Sequence, residues 1–177
     1  MKNIGFGDKH FNFAVYIANK PAMLEYQHLD KVTALVEGEI NVINQACGNG
    51  WRKVFNVYAK LLYSLDNNHF SFTSCAPTWQ TYRDKNLLQL KSHTALLFSE
   101  PTLDKNDDVL HIICGKGHAK SLINNGKLIS NLVWLDEEFA VDRENKLVVC
   151  PYFDYRQLSN SKIERLADLL LSFKTHC

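Results

Sequence analysis

Gly115-Lys116-Gly117-His118 follows directly on the apolar run Val109 to Cys114 (VLHIIC) and has the residue types of an anion cradle. Two glycines let the backbone approach a ligand closely, free N–H groups at a helix start attract negative charge, and Lys116 adds a cation. A phosphate or a carboxylate suits such a turn. His118 adds a hydrogen-bond donor for an oxyanion, or an acid or base that works near neutral pH. The spacing is neither G-x-G-x-x-G nor G-x-x-x-x-G-K-[ST], so the turn is no dinucleotide fingerprint and no Walker loop. A plain tight turn is the competing reading.

Three other apolar runs also end in polar or charged residues: Asn19-Lys20-Pro21, Ser99-Glu100-Pro101 and Pro151-Tyr152-Phe153-Asp154-Tyr155-Arg156. The last mixes aromatic rings, a carboxylate and a guanidinium, a combination that stacks on a planar ring while holding a polar edge. Trp79-Gln80-Thr81-Tyr82-Arg83 has similar chemistry. The expected ligand contacts are Lys20, Gly115, Lys116, Gly117, Tyr152 and Arg156. The candidates for catalytic work are Asn19, His118 and Asp154. In a hydrolase Asn19, Glu100 or Asp154 positions water, and His118 or Arg156 steadies the leaving charge.

Cys114 and Cys150 each end an apolar run, and a thiol there becomes nucleophilic only if a cation such as Lys116 lowers its pKa. His111 lies three residues before Cys114, so strand alternation sends the two side chains to opposite faces. Arg52 and Lys53 open an amphipathic segment and are read as facing solvent.

The chain has 177 residues, 46% hydrophobic and 22% charged, which suits one compact domain across residues 1–177. Twenty Lys and Arg balance 19 Asp and Glu, leaving +1 overall. No global positive field therefore draws the protein to nucleic acid, although a local basic patch is compatible with that balance. No apolar run approaches the length of about 18 residues that spans a bilayer, and no leader is visible. Five cysteines, odd in number and without C-x-x-C spacing, argue against a disulfide framework and against zinc. They predict free thiols in a cytoplasmic protein, with Cys177 exposed and the other four acting as small buried hydrophobes. No cofactor and no metal are expected.

The elements that must position these residues follow from periodicity. Phe11–Ala18, Thr94–Ser99, Val109–Cys114 and Lys146–Cys150 read as buried strands, the last either in a hairpin with Phe139–Val141 or carrying a small flap. Trp51–Leu65 carries apolar residues at Val54, Val57, Tyr58, Leu61, Leu62 and Leu65, the spacing of a helix that buries one face. Helices are also expected over His118–Ile123, with Gly126 left-handed after its end, and over Lys162–Phe173. Residues 22–47 have a mixed pattern broken at Gly38. Residues 70–73 form a short alternating stretch, and 76–84 read as an ordered loop. The fold class expected is α/β, a three-layer sandwich with a mainly parallel central sheet of about four strands flanked by helices. Ligands then bind beyond the carboxyl ends of the strands.

The layout resembles an uncharacterised bacterial family of unknown function and, more distantly, the uracil-DNA glycosylase superfamily. The second likeness rests on a strand ending at a Pro loop (Ala18-Asn19-Lys20-Pro21) and a strand running through Gly into a helix with Ala-x-x-Leu (Cys114 to Leu122). A late strand entering a Pro loop (Val149 to Arg156) completes it. That resemblance implies a water-positioning residue in the first loop, where Asn19 stands. It also implies a histidine beside the late proline, where this chain reads Pro151-Tyr152-Phe153. The function expected is binding of an anionic or nucleotide-like ligand, with nucleic acid as a related possibility. The alternatives are a non-catalytic interaction or self-association protein, and a hydrolase acting on a glycosidic or phosphoryl bond.

Overall fold

The computed structural model of the chain describes residues 2–175. The expectation for Cys177 lies outside them. Four apolar segments form the middle of the sheet: β2 (Phe13–Tyr16), β4 (Thr94–Leu97), β5 (Leu110–Cys114) and β8 (Leu147–Cys150). They run parallel in the order β4-β2-β5-β8. Every residue of these strands is buried, as expected of strands covered on both faces.

The α/β class holds, but the expected sheet of about four mainly parallel strands does not. The sheet has eight strands in the order β3-β1-β4-β2-β5-β8-β7-β6 and is mixed. On one side β1 (Gly5–Gly7) runs antiparallel to β4 and parallel to β3 (Val32–Thr33). On the other, β7 (Ala140–Asp142) runs antiparallel to β8, and β6 (Val133–Trp134) antiparallel to β7. The added strands are two or three residues long, too short to establish a period. In β1 the glycines that disguise the strand are what allow it. A Cβ on Gly5 or Gly7 would collide with the carbonyl oxygen of Leu96 or Thr94 on β4, and both residues hold positive φ, at +156° and +130°.

The helices are α1 (Leu24–Gln27), α2 (Glu39–Cys47), α3 (Asn49–Tyr63), α4 (Trp79–Lys85), α5 (Lys116–Asn124) and α6 (Asn160–Thr175). α3 buries Val54, Val57, Tyr58, Leu61 and Leu62 as its spacing predicts, and Tyr58 donates across to the Ala95 carbonyl at 2.9 Å. A single residue, Gly48 at φ +87°, joins α2 to α3. Residues 76–84 hold a helix, not a loop. Thr78 Oγ1 accepts from the Thr81 amide at 3.1 Å and starts α4. Residues 72–74 form a 3-10 turn, not a strand, and Gly126 is left-handed at φ +70° as expected.

Two apolar layers result. One face of the sheet gives Phe13, Val15, Ile112, Cys114 and Val148 to a large core with α2, α3, α4 and α6. The other gives Ala14, Tyr16, Ile113 and Val149 to a smaller core with Ala119 and Leu122 of α5. His111 faces this second layer, where its Nδ1 lies 2.7 Å from the Tyr16 hydroxyl, so it and Cys114 do lie on opposite faces. No helix among the described residues is long and apolar enough to cross a membrane.

Candidate functional site: a basic crevice beside helix α3

Because β4, β2, β5 and β8 are parallel, their carboxyl ends lie along one edge of the sheet in that order. The four polar segments of the sequence follow them side by side, yet their side chains part company. α5 leaves β5 towards the smaller core, so Gly115, Lys116, Gly117 and His118 go to one face of the sheet. Phe153 of the late loop plugs the larger core on the other face. Lys116 Nζ stands 5.9 Å from the Trp134 ring, with Lys120 at 5.7 Å from the same ring. Lys20 donates to the Gln27 carbonyl at 3.1 Å, and Asn19 is exposed beside it. His118 is half-buried, with its Nε2 lacking a hydrogen-bond partner among the described residues. Burial lowers its pKa, which favours the neutral ring.

The late loop meets α3 instead. Asp154 is buried and accepts from Arg156 three times: from the amide at 2.9 Å, from Nε at 3.4 Å and from Nη2 at 3.1 Å. Lys53 Nζ adds a contact at 3.7 Å. The Arg156 side chain, ahead of the opposing desolvation, holds the Asp154 carboxyl below the usual range, so it is ionised at neutral pH. Tyr152 is half-buried against the core, and desolvation together with Cys114 and Asp154 nearby pushes its hydroxyl up. Tyr155 remains exposed, with Lys53 Nζ 5.3 Å from its ring centre.

Between Tyr155 and the first turns of α3 lies a cavity of about 220 Å³ lined by Asn49, Arg52, Lys53, Asn56, Val57, Lys60 and Tyr155. It holds three cations, two amides and one ring, with no carboxylate among the described lining residues. The first turn of α3 carries no acidic residue either, so the positive end of its dipole adds to the cations. A neighbouring cavity shares Asn49 and Arg52 and extends to Asn44, Arg83 and Asp84. Another shares Lys60 and extends to Trp79 and Asn160. Lys60 and Arg83 lie 5.0 Å and 5.5 Å from the Trp79 ring, and Arg83 also donates to Asn56 Oδ1 at 2.8 Å. The polar face of α3 is thus a strip rich in Lys and Arg with a ring at each end, in which Arg83 is paired with Asp84 at 2.9 Å and Glu164 stands at the Trp79 end.

None of these cavities is lined by Lys20, Gly115, Lys116, Gly117, Tyr152 or Arg156. Arg52 is exposed and Lys53 partly exposed, as expected for the polar face of an amphipathic helix, and what that expectation misses is the cavity they line. The available signal was the spacing of Asn49, Arg52, Lys53, Asn56 and Lys60, which share one face of the helix.

Cys114 and Cys150 are buried free thiols, while Cys47 is partly buried and Cys75 exposed, against the expectation that all four are core residues. Burial pushes the Cys114 thiol well up, with Cys150 nearby adding to it, and Lys116 points elsewhere. The chemistry is that of an inert thiol. No cluster of three or more His, Cys, Asp or Glu side chains among the described residues is arranged to hold a metal ion.

Comparison with known protein families matches residues 4–171 to a family described as of unknown function (DUF6942). The chain belongs to this family. No curated protein and no solved structure matches the DUF6942 chain, and nothing in these comparisons supports the glycosylase likeness.

Proposed function

We propose that the protein binds a nucleotide-like anion in the crevice between α3 and the late loop. The phosphate lies on Arg52 and Lys53, and the ring lies against Tyr155. The observation that carries this reading is the cavity itself, which combines three cations, an exposed aromatic ring and a helix start, with no carboxylate among its described lining residues. Its place agrees with the general rule that α/β sheets bind ligands beyond the carboxyl ends of parallel strands. The strip continues through Lys60 to the Trp79 ring, a second stacking surface that a short single strand can reach.

Binding and catalysis separate here. Asp154 is committed to Arg156 and Lys53, which makes it a positioning residue for the cations of the crevice and a poor base. The test is a thermal-shift titration with nucleoside monophosphates, inorganic phosphate and uncharged nucleosides, in which a ligand that binds only the folded chain raises its melting temperature. Monophosphates are expected to stabilise more than phosphate or nucleoside alone. Arg52→Glu and Tyr155→Ala are expected to remove that stabilisation, and Lys116→Ala to keep it. Equal stabilisation of the parent chain and Arg52→Glu would rule the crevice out.

Self-association is the second reading, favoured by the edge strand β6. Val133 there is 61% exposed, with Ile129 at 90% and Leu135 at 43% beside it. An unpaired apolar edge invites a second strand. Light scattering after gel filtration tests this, with a dimer that Val133→Lys dissolves as the supporting result and a monomer at high concentration as the opposing one.

A further inference from the structure

At the opposite edge of the sheet, where β2 and β5 begin, lies a cavity of about 260 Å³ that shares no lining residue with the α3 crevice. Its apolar floor includes Phe13 and Leu110 at the strand starts, with Phe72 and the ring of Tyr82 beside them. Lys85, Lys91 and His93 stand on its rim, and no acidic side chain appears among the described lining residues. Lys174 also lines it, lying 5.7 Å from the Phe70 ring and 3.5 Å from Asp108 Oδ1.

One observation independent of charge points to a ligand, and a second shows that the rim is held rigidly. Tyr82 is 1% exposed, yet its hydroxyl has no hydrogen-bond partner among the described residues. Buried hydroxyls are normally satisfied, and a phenylalanine fills the same space without that cost. The turn that carries the rim is also strained, for Leu88, Lys91 and His93 hold φ of +61°, +66° and +58°. Non-glycine residues avoid this region unless the surroundings impose it. Here they do. The Leu88 amide donates to Thr94 Oγ1 at 3.1 Å, the Leu35 amide to the Leu88 carbonyl at 2.9 Å, and the His93 amide to Asp8 Oδ2 at 3.0 Å. The clamp fixes the turn that places Lys91 and His93 at the cavity mouth.

We infer that this cavity is a second binding site, independent of the α3 crevice, for a small organic anion with an apolar body. The body rests on Phe13 and Phe72, the Tyr82 hydroxyl takes a hydrogen bond, and a carboxylate or phosphate lies against Lys85 and Lys91. A cavity of this size is below the usual range for drug-sized ligands, so the ligand is a single ring or a short chain.

The test is amide NMR on the whole chain, titrated separately with benzoate, phenyl phosphate, inorganic phosphate and benzylamine. Benzoate or phenyl phosphate is expected to move the amides of Ser71, Asn86 and Ser92, and the stronger of the two tells carboxylate from phosphate. Benzylamine is expected to leave them in place, and inorganic phosphate to bind more weakly than phenyl phosphate. Tyr82→Phe is expected to melt no lower than the parent chain and to bind about tenfold more weakly. The exposed substitution Lys91→Glu is expected to weaken binding at least as much without touching the core. The inference is overturned if neither aromatic anion moves these amides, if benzylamine moves them equally, or if Lys91→Glu binds as well as the parent. It is also overturned if the shifts fall on residues 49–56 instead, since that would assign the anion to the α3 crevice.

Discussion

At the scale of single residues, Asp154 sets how much positive charge the crevice offers. It is paired with Arg156 outside the crevice and neutralises part of Lys53 within it, so an incoming phosphate competes with a carboxylate already in place. Asp154→Asn keeps an acceptor for the Arg156 amide but removes the charge, and it is expected to tighten monophosphate binding several-fold while lowering stability in urea. Calorimetric titration checks the first effect and denaturation the second. An unchanged affinity would mean that Lys53 does not face the ligand. The residue scale is also where the sequence was hardest to read. Lys116 and Arg52 both stand near the start of a helix, the first directly after a strand and the second after another helix, and the local sequence favours the wrong one. What separates them is non-local: Lys116 finds Trp134 on the edge strand, whereas Arg52 finds a cavity with Tyr155 above it.

At the scale of elements, α4 and β1 carry the expectations. Thr78 caps α4 through the Thr81 amide, and α4 brings Trp79 and Arg83 to the basic strip. Thr78→Ala is expected to cost about 1 kcal/mol in urea denaturation and to weaken binding of a short single strand more than binding of a monophosphate. Gly7→Ala drives a Cβ into the Thr94 carbonyl between β1 and β4, and a loss of more than about 2 kcal/mol is expected by the same measurement. Long periodic elements were legible: α3 from its apolar stripe, β2, β4, β5 and β8 from their apolar runs, and the β7–β8 hairpin from its turn. The edge strands and α4 were not. Strands of two or three residues owe their pairing to their neighbours, and the apolar residues of α4 do not repeat over its two turns.

At the scale of the molecule, the near-neutral net charge of +1 means that attraction for an anion is local to the crevice. Binding of a short single strand is therefore expected to fall with added salt at a log–log slope of about −2, the value for three released counterions. Fluorescence anisotropy across salt concentrations measures it, and a slope near zero would remove Arg52, Lys53 and Lys60 from phosphate contact. Stability should also respond to acid through Asp8. Its burial raises the carboxyl, but the His10 and His93 amides outweigh that and leave it below its ordinary value. Its contribution is therefore complete above the unfolded carboxylate value of about 3.9 and is lost as the pH drops through the folded value. The urea midpoint of the parent chain is expected to fall more between pH 6 and pH 3 than that of Asp8→Asn. The central claim concerns where an anion binds, and amide NMR of the labelled chain titrated with a nucleoside monophosphate tests it most directly. Shifts concentrated in residues 49–60 and 154–156, and absent in Arg52→Glu, are the expected result. Shifts concentrated at Gly115 to His118, with residues 49–60 unmoved, would contradict it.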